Sequence, residues 1–325
     1  MHEPPDVLYL SRADVERAGP DMRTVVSLLE QAFLEKSKGK VEMPPKPGIH
    51  TRPDAFIHAM PAYIPSMAAA GVKWVSGYPA NQAKGLPYIS GLLVLNDVDT
   101  GIPYAVMDCT WITAVRTGAA TALAARHLAR SESETVAVLA CGVQGRANLR
   151  ALASLFKLRK VFAFDVTAEV QATFVREMGE SIGVEMVGVS EPRDAVTQAD
   201  IVVTSGPILH EPHATIKGGW TRPGTFASAV DFDSYWSADA LSEFDRIATD
   251  DHDQFSYYRD LGYFKSTPPP YADLGEIVAG SKPGREGPDE RCMAINLGLA
   301  LDDIAVAPEV YRRAVEMGLG VRLPL

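Results

Sequence analysis

The pattern of hydrophobic positions in the first third of the chain predicts a mixed α+β unit. A short apolar run at 7–10 is followed by candidate cap residues Ser11 and Asp14 and by a helical pattern through 25–39. Further short apolar runs, separated by Gly, Pro and Asn/Asp turns, predict β-strands at 71–79, 90–97 and 104–109. An Ala-rich stretch from Ala114 to Arg130 then favours a helix. Residues 1–115 therefore predict an α+β unit with an antiparallel sheet.

From residue 135 the pattern changes to continuous apolar runs that alternate with helical stretches. The run TVAVLA at 135–140 is typical of a parallel strand that is buried on both faces. Similar runs follow at 161–165 and 200–205, with VEMVGV between them. This β-α-β alternation predicts a doubly wound parallel sheet, which GTFASAV and RIATD would extend. The last amphipathic stretch, 298–320, fits neither repeat, and we expect a helix that returns to the first unit.

Composition and charge restrict the class of protein. Apolar residues make up 46% of the 325 positions and charged residues 22%, which is typical of a globular protein. Acidic residues outnumber basic ones by 41 to 31, so general nucleic-acid binding is disfavoured. The sequence has neither a leader pattern nor an apolar run of the ~20 residues that a bilayer span needs. We expect a cytoplasmic protein without nucleic-acid or membrane partners.

The cysteines and histidines do not predict a metal site. Cys109, Cys141 and Cys292 include no CxxC pair, and no HExxH spacing occurs. The odd cysteine count also disfavours a disulfide framework. Cys109 and Cys141 are interpreted as buried apolar residues.

A glycine turn after the strand at 135–140 predicts dinucleotide binding. It reads Ala140-x-Gly142-x-x-Gly145 against the pattern G-x-G-x-x-G, with alanine in place of the first glycine. Gly142 would let the backbone approach a pyrophosphate at the helix N-terminus, and Gly145 would allow close helix–strand contact. Asp165 ends the next strand, where an acid binds the ribose hydroxyl of NAD and repels the 2′-phosphate of NADP. NAD is the predicted cofactor.

Several segments together resemble the ornithine cyclodeaminase/mu-crystallin family. They cover nearly the whole chain in the family's order: MPPK (43–46), MPAY (60–63), GVKWVSGYPAN (71–81), GIPYAVMDCTWITAVRTGAATALAA (101–125), GVQGRANL (142–149), RPGTFASAVDFD (222–233) and GREGPDE…LGLALDDIAVA (284–307). The K-x-V-x-G-x-P-x-N and A-V-R-T-G-A-A segments are the most specific of these.

The resemblance implies an α/β fold in which a Rossmann-type doubly wound parallel sheet is inserted into an α+β substrate-binding and dimerisation domain. The predicted bounds are 1–118 with 300–325 for the substrate domain and 119–299 for the NAD domain. Members are usually homodimers. Their activities include cyclodeamination of ornithine or lysine, alanine and arginine dehydrogenation, and reduction of imino acids. All of these pass through an imine carbon that exchanges hydride with nicotinamide.

The same resemblance implies positions for substrate and cofactor. Lys46, Lys73 and Arg116 match the family's basic residues for the substrate carboxylate, and Lys73 could also donate a proton. Thr117 is interpreted either as a donor to the cofactor phosphate or as a capping hydroxyl. The predicted cofactor-binding residues are Arg116, Thr117, Gly142, Val143, Gln144, Gly145, Asp165, Ser205 and Gly298.

Two positions remain open at this stage. Asp233 aligns with the family's catalytic aspartate, but Asp231 two residues earlier would point the same way on a strand. His58 stands where ornithine cyclodeaminases carry an acid. A protonated His58, helped by His50 and Arg52, could bind an anion, or His58 could donate a proton; a hydrogen-bonded structural histidine is the alternative.

These assignments predict an NAD-dependent oxidoreductase of C–N bonds with Lys73 and Asp233 as catalytic residues. It would reduce a 2-imino acid to an amino acid, or the reverse. The specific hypothesis is iminosuccinate to aspartate, because the basic loop residues favour a dicarboxylate. The alternatives are an ornithine or lysine cyclodeaminase, an alanine dehydrogenase, and a mu-crystallin-like protein that binds NAD(P)H and a small ligand without turnover.

Overall fold

The computed structural model describes residues 6–53 and 55–325. The strands are β1 Asp6–Leu10, β2 Gly48–Arg52, β3 Ala55–Ile64, β4 Ala69–Gly77, β5 Ile89–Asn96, β6 Pro103–Asp108, β7 Thr135–Leu139, β8 Lys160–Phe164, β9 Glu185–Gly188, β10 Ile201–Thr204, β11 Phe226–Ala229, β12 Arg246–Thr249, β13 Ala272–Asp273, β14 Cys292–Ile295 and β15 Val321–Pro324. The α-helices are α1 Arg12–Ala18, α2 Met22–Ser37, α3 Thr110–Leu128, α4 Val143–Leu155, α5 Ala168–Ile182, α6 Pro192–Val196, α7 Ala238–Leu241, α8 His252–Asp260, α9 Leu274–Val278 and α10 Ala300–Glu316.

The chain divides into two compact units. The first comprises the described residues up to Arg116 together with Leu299–Leu325, and the second comprises Thr117–Gly298. We refer to them as unit 1 and unit 2. The functional division into a substrate domain and an NAD domain stays a prediction.

Unit 1 is built on a seven-stranded sheet in the order β15-β1-β6-β5-β4-β3-β2. All neighbours are antiparallel except β1 and β6, which are parallel. The sequence analysis missed this parallel pair and β15. Strand β6 pairs with β1 from about 100 residues further along the chain, and β15 pairs with it from the far end of the sequence. Local patterning carries no record of either pairing.

Helix α10 packs against β3 and β4 of this sheet. Its first half is buried on all sides, including Ala300, Ile304 and Ala307. Two acids in the first turn, Asp302 and Asp303, are also completely buried. Because a buried carboxylate is costly without a partner, these acids must be matched by cations of the same unit.

Unit 2 confirms the predicted doubly wound parallel sheet. Its eight strands run in the order β13-β12-β14-β11-β10-β7-β8-β9, and every neighbouring pair is parallel. The order reverses at β7, between β8 and β10, and ligands of such sheets bind outside the carboxyl ends at this point. Strand β14 was not predicted, because a four-residue apolar run has no distinguishing period.

Helix α3 begins earlier than the Ala-rich stretch suggested. It starts at Thr110, whose backbone N–H donates to Asp108 Oδ1 at 2.8 Å. The β-branched residues at its start have modest helix propensity, so the sequence pattern did not predict this first turn. Arg116 and Thr117 therefore lie well inside the helix, and the interpretation of Thr117 as a capping hydroxyl at a helix start is wrong.

Within the described residues, no helix is long and apolar enough to cross a membrane. The same part of the chain contains no group of three or more His, Cys, Asp or Glu side chains that could hold a metal ion.

Candidate active site

Strand β4 places Lys73 in the interior of unit 1. Alternation along the strand exposes Trp74 on one face and turns Lys73 to the other, where the lysine is only 1% exposed. The ammonium group lies 2.5 Å from Asp303 Oδ2 and donates to Thr113 Oγ1 at 3.3 Å. Burial lowers the pKa of Lys73, as does the charge of Arg116, while Asp303 opposes this change.

Arg116 lies on α3 and contacts both acids in the first turn of α10. Its Nη1 is 3.3 Å from Asp302 Oδ2, and its Nε is 3.3 Å from Asp303 Oδ1. Arg116 is 6% exposed, so the arrangement is largely shielded from solvent. We call Lys73, Arg116, Asp302 and Asp303 the buried ionic cluster. Its two cations and two anions balance each other.

Sequence reasoning found the cations of this cluster but missed Asp302, Asp303 and Thr113. A usable signal was present in LGLALDDIAVA, where two adjacent acids interrupt an otherwise apolar helical stretch. Burial of such a stretch requires partners for both acids. The identity of those partners depends on the packing of α10 against the sheet.

His58, on β3, is neutral in this environment. Burial is the main reason why its pKa falls to about 3, and the positive charges of Lys46, His50 and Lys73 add to this effect. Its ring stacks on Phe56, with centroids 4.3 Å apart. The expectation of a protonated, anion-binding His58 is therefore wrong for the protein in this state. The expectation of basic residues around it is consistent with the effects of Lys46, His50 and Lys73 on its pKa.

In unit 2, the predicted nucleotide loop connects β7 to α4 at the point where the strand order reverses. Ala140, which replaces the first glycine, has φ +74° and takes the left-handed conformation that glycine adopts more easily. Gly142 is the N-cap of α4, where no side chain caps the helix. A Cβ on Gly142 would meet no atom within 4 Å, whereas one on Gly145 would lie 2.4 Å from the carbonyl oxygen of Ala140.

This loop has the features that a dinucleotide requires. The uncapped helix end presents backbone N–H groups and a positive dipole end to an anion. Gly142 leaves open space on the outer face of the turn. Beside it, Val143 is 66% exposed and, after β8, Val166 is 86% exposed, which offers apolar surface to a nucleoside. The residues present therefore fit NAD.

Asp165 follows β8, as predicted, and supports the loop directly. Its Oδ2 accepts a hydrogen bond from the backbone N–H of Cys141 at 2.8 Å, and its Oδ1 accepts one from Thr167 at 2.9 Å. Each carboxylate oxygen retains a second lone pair that can accept from a ribose hydroxyl. Gln144 accepts from Asn148 Nδ2 through its backbone carbonyl at 2.8 Å, within the first turns of α4.

Two other predicted cofactor residues have structural contacts within unit 2. The Ser205 hydroxyl donates to the carbonyl oxygen of Ala140 at 3.0 Å and so ties the end of β10 to the nucleotide loop. Gly298 has φ +77°, and its N–H donates to Asp250 Oδ2 at 2.8 Å. Thr117 is buried within α3. Contact of these residues with a cofactor stays a prediction.

Asp231 and Asp233 do not lie on a strand, so the argument that they point the same way is wrong. Strand β11 ends at Ala229, and Phe232 between the two acids has φ +61°. Asp231 Oδ1 accepts from the Thr204 hydroxyl at 2.7 Å, and Oδ2 accepts from the Gly206 N–H at 3.0 Å. Complete burial raises the pKa of Asp231 to about 7.

Asp233 differs from Asp231 in the hydrogen bonding of its carboxylate. Its Oδ2 accepts from the Thr267 hydroxyl at 2.9 Å, while its buried Oδ1 has no hydrogen-bond partner among the described residues. Burial raises its pKa, against the opposing effects of Thr267 and the charge of Arg259. Asp233 also lines a cavity of about 210 Å³ with Trp236 and Phe264. These contacts favour Asp233 over Asp231 as the group that exchanges a proton.

The three cysteines are buried, and burial raises the thiol pKa to about 11 for Cys109 and Cys292 and to about 12 for Cys141. Thiols with raised pKa values are poor nucleophiles at neutral pH.

The open face of Gly142 leads to a prediction for cofactor binding. We expect Gly142→Ala to retain the wild-type melting temperature but to bind NADH about tenfold more weakly, because the new methyl group occupies the face that a pyrophosphate approaches. Calorimetric titration with NADH measures the affinity. Gly145→Ala is the matched control and should lower the melting temperature, since its Cβ meets backbone. Equal NADH affinity in Gly142→Ala and wild type would contradict this placement.

Comparison with known proteins extends over the whole chain. The ornithine cyclodeaminase/mu-crystallin family model matches residues 7–318. The nodulation efficiency protein NfeD of Rhizobium meliloti is 34% identical over 325 residues, covering 97% of both chains. The structure of Thermococcus litoralis Δ1-pyrroline-2-carboxylate reductase with NADH and L-proline is 33% identical, with a TM-score of 0.89 over 98% of this chain and 100% of that one. An archaeal alanine dehydrogenase dimer with bound NAD is 32% identical, with a TM-score of 0.86 over 98% and 99%.

Proposed function

Because the chain belongs to the ornithine cyclodeaminase/mu-crystallin family, we propose that it is an NAD-dependent oxidoreductase that reduces a 2-imino acid to an amino acid, or catalyses the reverse. The observation that carries the proposal is the pair of buried cations, Lys73 and Arg116, which share Asp303. We further propose a homodimer, as in the archaeal alanine dehydrogenase, and a cytoplasmic location where NADH is available.

Unit 1 binds the substrate carboxylate in this proposal. Arg116 provides a planar guanidinium that can form two parallel hydrogen bonds with a carboxylate, and Lys73 provides a point charge. Lys46 is a further cation of the same unit, since its charge lowers the pKa of His58. The two solved relatives described above are a Δ1-pyrroline-2-carboxylate reductase with bound L-proline and an alanine dehydrogenase, and proline and alanine both carry a carboxylate.

Unit 2 binds the cofactor in this proposal. The N-terminus of α4 and the Gly142 turn receive the pyrophosphate, and Asp165 receives the ribose hydroxyls. When bound, NADH supplies the hydride that adds to the imine carbon. Asp165 favours NAD over NADP because a carboxylate repels a 2′-phosphate.

In this proposal, Asp233 exchanges the proton with the substrate nitrogen. Reduction of C=N requires a hydride at carbon and a proton at nitrogen, and oxidation removes both. Burial raises the pKa of Asp233, so a larger fraction of the group is protonated than for an exposed aspartate. Its unpartnered Oδ1 can donate this proton directly or through a water molecule. Lys73 is the second candidate donor, since burial lowers its pKa.

The charges around His58 support an anionic side chain on the substrate. Besides Lys73, which is paired with Asp303, the charges of Lys46 and His50 lower the pKa of His58, so two further basic side chains of unit 1 act on this region. The distal ammonium of ornithine or lysine would be repelled there, whereas a second carboxylate would be attracted. Reduction of iminosuccinate to aspartate is the specific activity that we propose.

A substrate panel monitored by NADH absorbance tests the proposal. We expect NADH oxidation with Δ1-pyrroline-2-carboxylate and with 2-oxo acids plus ammonia or methylamine, and the highest kcat/KM with oxaloacetate plus ammonia. The control omits the amine, because a 2-oxo acid dehydrogenase would not need it. Preference for pyruvate over oxaloacetate would contradict the dicarboxylate assignment. Ammonia release from ornithine with catalytic NAD, or tight NADH binding without turnover, would contradict the reductase.

A further inference from the structure

The charge balance of the buried ionic cluster poses a problem for a site that binds a carboxylate. Lys73 and Arg116 are already neutralised by two acids, and all four side chains are no more than 7% exposed. If attraction to anions were the sole purpose of the cations, Asp302 and Asp303 would oppose it. The presence of Asp302 and Asp303 beside these cations therefore needs a reason other than charge attraction to the substrate.

The location of Asp302 and Asp303 on α10 provides such a reason. Both acids lie in the first turn, where the partial positive charge of the helix N-terminus favours a carboxylate. Asp302 also accepts a hydrogen bond at 3.2 Å from the backbone N–H of Leu299, the N-cap residue of the helix. The helix thereby holds both carboxylates at fixed positions in the interior of unit 1.

Asp303 contacts both cations from that position. One carboxylate oxygen meets the ammonium of Lys73 at 2.5 Å, and the other meets Arg116 Nε at 3.3 Å. The ammonium of Lys73 donates a hydrogen bond to Thr113 and forms an ion pair with Asp303. One acid thus sets the orientation of a flexible four-carbon arm and its separation from the guanidinium.

We propose that Asp303 is a positioning residue, which fixes the ammonium of Lys73 and the guanidinium of Arg116 so that a substrate carboxylate meets both in a preset arrangement. The proposal rests on the function proposed above and adds a residue to its carboxylate site. Asp302 supports the same arrangement from the adjacent position, through its ion pair with Arg116.

The protonation of Lys73 provides a readout that a merely structural role would not change. The charged groups facing Lys73 are Asp303 on α10, which raises its pKa, and Arg116 on α3, which lowers it. Cys109, directly before α3, is a buried thiol with a smaller raising effect, and His58 on β3 is neutral at physiological pH. Loss of Asp303 should lower the pKa of Lys73, so the ammonium would lose its proton at a lower pH.

The test uses Asp303→Asn and Asp303→Glu in the full-length protein with Δ1-pyrroline-2-carboxylate as substrate. We expect KM in Asp303→Asn to rise by about 10²-fold, the loss typical of a group misplaced by about 1 Å. The alkaline limb of kcat/KM should move to lower pH. Asp303→Glu retains the charge on a longer arm, so it should restore the alkaline limb but keep a raised KM. Glu316→Gln, on the exposed end of α10, is the matched control and should match wild type.

An alkaline limb in Asp303→Asn that coincides with wild type would overturn the proposal. If Asp303→Asn does not fold, Asp303→Glu decides the question, and a wild-type KM in that variant would overturn it. Absence of wild-type turnover with the whole substrate panel would reject the proposed function instead. The positioning role is then tested by NMR titration of the Lys73 ¹³Cε signal, assigned by its loss in Lys73→Met. Equal titration midpoints in wild type and Asp303→Asn, or in Asp303→Glu where Asp303→Asn does not fold, would overturn it.

Discussion

Asp233→Asn is expected to lower kcat by about 10²–10⁴-fold, the range typical of losing a general acid or base. Asparagine has nearly the same shape and can still accept the hydrogen bond from Thr267, but it cannot exchange a proton. NADH affinity should stay close to wild type, because Asp233 is not assigned to the cofactor. Stability should not fall, since the substitution removes a buried carboxylate whose pKa is raised by desolvation. Steady-state kinetics, NADH titration and thermal melting measure the three quantities.

Asp231→Asn is the matched control for this experiment. Both carboxylate oxygens of Asp231 accept hydrogen bonds, from Thr204 and Gly206, and the side chain is completely buried. We expect this variant to retain at least about a tenth of the wild-type kcat, less than the smallest loss that a missing general acid causes. A larger loss of kcat in Asp231→Asn than in Asp233→Asn would exchange the two assignments.

Arg116→Met is expected to destabilise the protein by about 3–5 kcal/mol, the usual cost of removing one partner from a buried ion pair. The substitution leaves Asp302 and Asp303, both completely buried, with Lys73 as the one remaining cation of the cluster. Methionine fills a similar volume, so the loss should reflect charge and not a cavity. Chemical denaturation measures the change in the free energy of unfolding.

Arg312→Met provides the comparison on the same helix, α10. Arg312 pairs with Glu309 and Glu316 at the surface, where solvent screens the interaction, and we expect little change in stability. If Arg116→Met unfolds at the same denaturant concentration as Arg312→Met, the buried ionic cluster does not stabilise unit 1 in the way described.

The sequence by itself determined the features that depend on local patterning. Continuous apolar runs alternating with amphipathic segments specify a parallel sheet, because strands buried on both faces have no polar side. The turn at Gly142 and the acid at Asp165 follow their strands directly, so their placement at one edge of the sheet is fixed by chain order. Lys73 stood out because a cation within an apolar strand requires a partner.

The tertiary structure alone decided which groups meet. Asp303 lies 230 positions after Lys73 in the sequence (303 − 73), and no local pattern relates the two residues. Strand β14 enters between β11 and β12 late in the chain, and Phe232 breaks the strand geometry that made Asp231 and Asp233 look equivalent. The protonation state of His58 depends on its burial and on cations of other segments. Local sequence fixes backbone conformation, but pairing, burial and protonation arise from contacts between distant segments, and only packing determines those.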